Sequence, residues 1–295
     1  MNRGYLVILT GYVGWGLLPL YWALLARVPA LEVLLHRMLW SSPVLLLLVL
    51  LSPRRRRQVS TALRSLQELK WLALSSLVIS SNWGIYIWAV ANHRVVEASM
   101  GYFLTPLLNV MAGVVVFRER LARANIVAIL FAVAGVVWYM AATAIIPWVG
   151  LALGISFAGY GLLRKRMVTN AVPGLFIEVL LLLPFTLAAI AWLHMQGQAQ
   201  FLGHSRTIDT LLALAGLVSV LPLAFFTAGT RMLPMTTVGI LFYVTPSLQF
   251  LCGILMLGES FDIDKLIGFS AIWIGLAIFT WNLLANRGRR EYAPP

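Results

Sequence analysis

With 61% hydrophobic and 11% charged residues over 295 positions, the chain carries more apolar surface than one water-soluble core could hide, which excludes an ordinary soluble domain. A formal charge of +12 raises nucleic acid as a partner, but Lys and Arg sit in short groups between long apolar runs, so that reading is set aside. The single cysteine, Cys252, lies in an apolar run, which excludes a disulfide framework and a cysteine zinc site.

A helical span needs roughly 20 apolar residues. The sequence predicts an all-α membrane protein with ten transmembrane helices, near 4–24, 31–51, 71–91, 99–117, 124–143, 148–163, 172–194, 210–229, 235–257 and 265–285. Little chain is left for an extramembrane domain. Arg3 precedes about 20 apolar residues, longer than a signal-peptide core of roughly 7 to 15, so the first run reads as an uncleaved helix.

The first helix carries Gly11, Gly14, Gly16 and Pro19 among Tyr12, Trp15, Tyr21 and Trp22. Glycines allow close backbone approach, and aromatic rings suit an interface belt or a cavity wall. Trp15 is assigned to the wall and Trp22, near the outer end, to the belt. The second helix opens with Glu32, His36 and Arg37, ahead of Trp40 and Pro43. Glu32 and His36, four apart, share a face, while Arg37 points about 100° away. Three ionisable groups cannot face lipid cheaply. They either snorkel to the surface, form a structural pair, or line the mouth of a pathway. A basic loop, Arg54 to Arg57, follows.

The third helix offers Asn82, Trp83, Tyr86 and Trp88. Asn82 and Tyr86 share a face, and an amide with a phenol at mid-depth suits an organic solute; interhelical hydrogen bonding is the alternative. Glu97 lies just before the fourth helix. That helix contains Tyr102 and Thr105-Pro106-x-Leu108, then Gly113 and Glu119, and the chain writes the pattern again as Thr245-Pro246-x-Leu248, Gly253 and Glu259, offset by 140 residues. The offset also carries Gly135 onto Gly275. Each proline removes a backbone hydrogen bond and strands the carbonyl four residues earlier, at Tyr102 and at Phe242. Broken helices at matching points of two halves indicate a central site, the alternative being that both prolines merely shape helix packing. Asn109 and Gln249 match each other three residues past the prolines.

Each half holds an odd number of spans, so the second copy is inverted: residues 1–143 form the first five-helix repeat and 144–295 the second, within one membrane domain. In the second half, Gly150, Gly154 and Ala158 make a close-packing face for use within the chain or in a homodimer. Use within the chain, hence a monomer, is preferred. Glu178, followed by Leu180-Leu181 as Glu32 is by Leu34-Leu35, reads as the inverted counterpart of Glu32. The 195–209 loop has His194 and His204 without clustered acids, so no metal is expected. Between the predicted spans, 17 Lys and Arg fall on one side of the membrane and 4 on the other, which places both termini in the cytoplasm. No nucleotide-cradling loop or nucleophile set is present, so neither an enzyme nor a cofactor is expected.

The paired helices that hold Pro106 and Pro246 and end at Glu119 and Glu259 resemble the EamA-type drug/metabolite transporter superfamily. Glu32 with His36-Arg37 and Trp40-Ser41, Asn82-Trp83 to Trp88, Ala98-Ser99, and Gly101-Tyr102-Phe103 to Pro106-Leu107 look like its chloramphenicol-sensitive RarD branch. The resemblance implies a bacterial inner-membrane secondary transporter with its cavity between inverted halves, and substrates among amino acids, metabolites and drugs. The rival class is a non-transporting scaffold or a lipid scramblase. The expected cavity wall is Trp15, Asn82, Trp83, Tyr86, Tyr102, Asn109, Phe242, Tyr243 and Gln249, beside kinks at Pro106 and Pro246. Coupling or gating falls to Glu32, His36, Arg37 and Glu178. If protons are the coupling ion, they run through Glu32 with His36; a Glu32–Arg37 structural lock or an uncoupled facilitator is the rival account.

Overall fold

The computed structural model describes residues 3–117, 123–144, 146–203, 205–230, 232–233 and 241–285. Their helices are α1 (Arg3–Leu24), α2 (Ala30–Leu50), α3 (Pro53–Leu63), α4 (Leu66–Ala91), α5 (Val95–Phe117), α6 (Arg123–Thr143), α7 (Trp148–Lys165), α8 (Ala171–Met195), α9 (Arg206–Thr230), α10 (Val244–Leu251) and α11 (Ile263–Ala285). Among the described residues, seven helices are long and apolar enough to cross a membrane, and Val95–Leu108, Trp148–Arg164 and Val244–Met256 are shorter apolar stretches. Leucines such as Leu47 and Leu130, with Phe185 and Trp281, stand exposed on the outside. This is the expected inversion for a chain whose outer solvent is hydrocarbon.

Three boundaries differ from the sequence reading. The basic stretch taken as a loop is α3, with Pro53 in its first turn and Val59 and Ala62 buried against α2, α4 and α8. Its arginines form the polar face of a surface-lying amphipathic helix. Helix α4 starts at Leu66, where the Ser65 hydroxyl accepts from the Glu68 N–H. Helix α5 starts at Val95, so Glu97 belongs to its first turn rather than preceding it.

The larger departure is at the ninth expected span, 235–257. Residues 234–240 lie outside the described residues, the chain turns at Phe242–Tyr243, and α10 then gives way to a single π-helical turn, Cys252–Met256. Pro246 therefore sits in the first turn of a short helix, where a missing N–H costs little. The Phe242 carbonyl is not stranded, because the Thr245 N–H donates to it at 2.9 Å. The Thr245 hydroxyl donates onward to the Tyr12 carbonyl at 3.0 Å. Pro106, by contrast, lies inside α5, which continues through it.

Helix α6 packs against α11, α5 against α7 and α10, α1 against α9 and α10, α2 against α8 and α9, and α4 against α7 and α8. The α5–α7 contact is made backbone to backbone. A Cβ on Gly101 would land on the Gly150 carbonyl, and one on Gly150 would come within 2.6 Å of the Glu97 carbonyl. Gly150, Gly154 and Ala158 thus serve packing within the chain. Trp22, assigned to the belt, is instead buried in the cluster formed by Leu18, Leu25, Val28 and Val33.

Candidate functional site

Helix α2 begins at the end of the bundle where α4 finishes, since the two are joined at their other ends through α3. Near that beginning Glu32, 1% exposed, accepts from the backbone N–H of Gln200 at 2.8 and 3.1 Å and of Phe201 at 2.9 Å. It clips the loop between α8 and α9 onto α2. Phe201 then lies on the His36 ring, with centroids 4.4 Å apart, and beside Trp40. The same loop is held by Asp209, which accepts from the Leu202 N–H at 2.7 Å, and by His194, whose Nε2 lies 3.1 Å from the Phe201 carbonyl.

Glu32 and His36 are not hydrogen-bonded to each other, although they share a face. His36 Nδ1 accepts from Trp40 Nε1 at 3.2 Å, and what joins the two residues is Phe201. Glu32 and Arg37 form no ion pair.

At the opposite end, Glu178 gathers three helices. Its carboxylate accepts from the Ser75 hydroxyl of α4, from the Tyr160 hydroxyl of α7 at 3.2 Å, and from Arg164 Nη1 at 3.4 Å as an ion pair. Arg164 reaches it across Gly174; a Cβ on Gly174 would collide with the guanidinium. Counted from Ala30 and Ala171, Arg37 and Glu178 are each the eighth residue of their helices, whereas Glu32 is the third. By position from the helix start, then, the residue that matches Glu178 in the first half is Arg37.

Between these ends lie aromatic rings. Phe157 of α7 and Phe242 stack at 6.3 Å with an interplanar angle of 7°, and Tyr102 stands edge-on to Phe157 at 5.8 Å. Trp15 packs on Phe226 at 5.5 Å, and Tyr12 contacts both Phe226 and Phe242. Tyr86 stands edge-on to Tyr102 at 5.8 Å. Trp15, Tyr86, Tyr102 and Phe242 are therefore linked by ring contacts through Tyr12, Phe226 and Phe157.

Others are placed differently. Asn82 is fully engaged: its amide donates to the Leu153 carbonyl and Ser156 hydroxyl of α7, and its carbonyl accepts from Tyr102 at 3.3 Å, not from Tyr86. Gln249 donates weakly to the Trp15 carbonyl at 3.4 Å. Tyr243 turns away to pack with Phe103, Phe250 and Phe269 in the α5–α6–α11 cluster. Trp83 lies under Arg37, 4.1 Å from its guanidinium carbon. The Asn109 side chain, like Glu119, lies outside the described residues.

Phe157, Phe201, Phe226 and Arg164 were not singled out from sequence. Phe157 and Tyr160 lie one turn apart on the same helix face, a spacing visible in the sequence. Glu259 accepts from the Val95 and Val96 N–H groups at the start of α5, and Glu97 from the Val149 N–H at the start of α7. Both carboxylates are helix clips rather than pathway groups.

The profile of the EamA-like transporter family matches residues 2–141 and again residues 144–281. The chain is 41% identical over 288 residues to Protein RarD of Streptomyces exfoliatus, covering 96% of this chain and 91% of that one. It is 39% identical to a protein of Pseudomonas aeruginosa named as an uncharacterized transporter, covering 100% and 98%. It is 36% identical to the chloramphenicol-sensitive protein RarD of the same organism, covering 98% of each. A crystal structure at 20% identity superposes with a TM-score of 0.60 over 97% of this chain and 99% of that chain, a likeness of fold.

Proposed function

The chain belongs to the EamA-like transporter family, in its RarD branch, as a multi-pass membrane transporter, and from that premise we propose how it works. It is a secondary transporter of the bacterial inner membrane. It moves a small organic solute, such as an amino acid, a metabolite or a chloramphenicol-like drug, by alternating access between inverted halves, 1–143 and 144–295.

Three observations support two inverted halves. The family profile matches the chain twice. Exchanging α1, α2, α4, α5 and α6 for α7, α8, α9, α10 and α11 carries the α1–α9 contact onto α4–α7, α5–α7 onto α1–α10, and α2–α9 onto α4–α8. The same exchange leaves α2–α8, α5–α10 and α6–α11 on themselves. The 17 to 4 division of basic residues supports cytoplasmic termini. The α5–α7 face, occupied within the chain, supports a monomer.

The observation that carries the mechanism is a pair of polar clusters, one near the start of α2 and one near the start of α8, with a connected set of aromatic rings contributed by both halves, which we read as the wall of a chamber. On that reading Glu32 with the 200–201 loop closes one end and Glu178 with Arg164, Tyr160 and Ser75 the other; between them Trp15, Tyr86, Tyr102, Phe157 and Phe242 form the wall. A chamber with aromatic faces and few polar groups suits a partly apolar solute. Because Pro246 sits in a helix start, the moving joint of the second half is placed at the Phe242–Tyr243 turn and the π-turn; Pro106 serves in the first half. The test is flux. Purified protein in liposomes should carry at least one member of a labelled panel above empty vesicles. Equilibration of lipid dyes without solute flux would leave the scramblase reading instead.

A further inference from the structure

Arg37 contradicts the usual economy of a membrane interior. The residue is 5% exposed, well inside α2, and among the described residues no carboxylate pairs with it and its Nε has no acceptor. The two acids that might reach α2 have other partners: Glu32 holds the 200–201 amides, and Glu178 holds Ser75, Tyr160 and Arg164. Arg37 rests instead on indole faces, 4.1 Å from the Trp83 centroid and 5.3 Å from that of Trp22. Around it stand the neutral phenols of Tyr102 and Tyr86, whose rings contact each other.

Those neighbours are also donors. Trp22 Nε1 and the Tyr86 hydroxyl are buried without a partner, while Tyr102 donates to Asn82. Three unused donors meet no acceptor. A cation kept for structure would be paired or would snorkel to the surface, because an uncompensated buried charge is strongly destabilising. A guanidinium stacked by its face keeps its edge free, and that edge is a rigid fork matched to a planar carboxylate.

We propose, on the reading that this chain is a transporter with a central chamber, that Arg37 is the receptor for the carboxylate of the transported solute. Trp22 Nε1 and the Tyr86 hydroxyl complete the contact, and the apolar or aromatic body of the solute lies toward Tyr102 and Phe157. Among the described residues of α1, α2, α4 and α5, the acids Glu32, Glu68 and Glu97 are all committed to backbone N–H groups, so no carboxylate there is left to receive an ammonium group. The solute is therefore a monoanion, which narrows the proposed range to carboxylate metabolites and sets aside zwitterionic amino acids and neutral drugs.

Four probes of one skeleton separate the charges: 3-phenylpropanoate, its neutral amide, 2-phenylethylamine and zwitterionic phenylalanine. In thermal melts of the full chain in detergent, the carboxylate should raise the midpoint and the other three should not. Arg37→Met should raise the midpoint of the ligand-free protein, since it removes an unpaired charge, and weaken the carboxylate by about 10- to 100-fold, the range for a lost charge-assisted contact. Tyr86→Phe, which only removes a hydroxyl, should weaken the carboxylate by roughly 5- to 10-fold and serves if the first variant fails to fold.

A wild-type melt unmoved by the carboxylate, or moved equally by the amide, overturns the assignment. So does an Arg37→Met protein that melts lower yet binds the carboxylate as before. Liposome flux separates the two readings: neutral or cationic probes carried as well as the anion keep the transporter and sink the receptor. Carboxylate-specific stabilisation with no flux of any probe keeps the receptor and sinks transport.

Discussion

Replacing Glu32 by Gln perturbs a contact whose size can be worked from the geometry. The carboxylate is buried and accepts from two backbone donors, Gln200 and Phe201, at 2.8 to 3.1 Å. Hydrogen bonds to a charged group contribute about 1.5–3 kcal/mol each, so the clip holds the loop by about 3–6 kcal/mol before the entropy of ordering the loop is counted. Oε1 accepts from both amides, so the glutamine carbonyl can keep both contacts, but as neutral hydrogen bonds of about 0.5–1.5 kcal/mol each in place of charged ones, while its NH2 replaces Oε2 opposite the Gln200 N–H. The expected loss is then about 1.5–3 kcal/mol, which is roughly 10- to 100-fold in the loop-opening equilibrium. The assay is amide hydrogen exchange read at Gln200 and Phe201, with α6 and α11 as internal standards. Exchange at 200 and 201 should accelerate by that factor while the standards hold. Protection equal to wild type at those amides would show that the loop is held by Asp209 and His194 without Glu32, and the outer closure would have to be reassigned.

Glu178→Gln leaves Arg164 without its ion partner, and breaking a buried pair costs about 3–5 kcal/mol; because Arg164 keeps 14% side-chain exposure, the low end is expected in thermal melts, with recovery in the Glu178→Gln/Arg164→Gln double variant. Gly101→Val drives side-chain atoms into the Gly150 backbone, so a loss of at least about 1–3 kcal/mol is expected with the protein still monomeric by light scattering. Reporter fusions at the C-terminus should be fluorescent with a cytoplasmic reporter and inactive with alkaline phosphatase, following the 17 to 4 division of basic residues. If proton coupling uses Glu32 and His36, it works through the Phe201 they share, so His36→Asn should flatten the pH profile of uptake and lose accumulation against a gradient; an unchanged profile makes the protein an uncoupled facilitator or moves coupling to Glu178.

Much of the fold is written in the sequence because a membrane span is a long, one-signal feature. Ten apolar runs, the duplicated Thr-Pro-x-Leu pattern and the clustered arginines need no tertiary information. Helix α3 was also within reach, from Pro53 at a helix start and Val59 with Ala62 three apart on one face. The partners of the buried groups were not. Glu32 binds backbone N–H groups of Gln200 and Phe201, and a backbone donor leaves no mark on residue type. The two prolines look identical in the pattern, yet one lies inside α5 and the other in the first turn of α10, a difference made by the turn at Phe242–Tyr243. Trp22 reads as a belt residue from its position near a helix end, and only the packing of α1 against its neighbours buries it.

The scarce acids divide by what they hold, and that division says more about mechanism than their depth does. Glu259 binds the first N–H groups of α5, Glu97 that of α7, Glu68 the Thr169 N–H just ahead of α8, and Glu32 the loop ahead of α9. Helix starts and tight loops leave N–H groups that no intrahelical carbonyl can take, and near hydrocarbon they are costly unless an acceptor is supplied. A carboxylate also suits the positive end of the helix dipole. Four acids thus serve as clips between one segment and the next. Glu178 is different because every partner it has is a side chain, from α4 and α7, and side chains can be exchanged when helices move. Arg37, at the same count from the start of the paired helix, carries the opposite sign and, among the described residues, rests on indole faces with no carboxylate partner. On the proposed mechanism, Glu178 ties its end shut from within the protein, while Arg37 is left for a charge that arrives and departs.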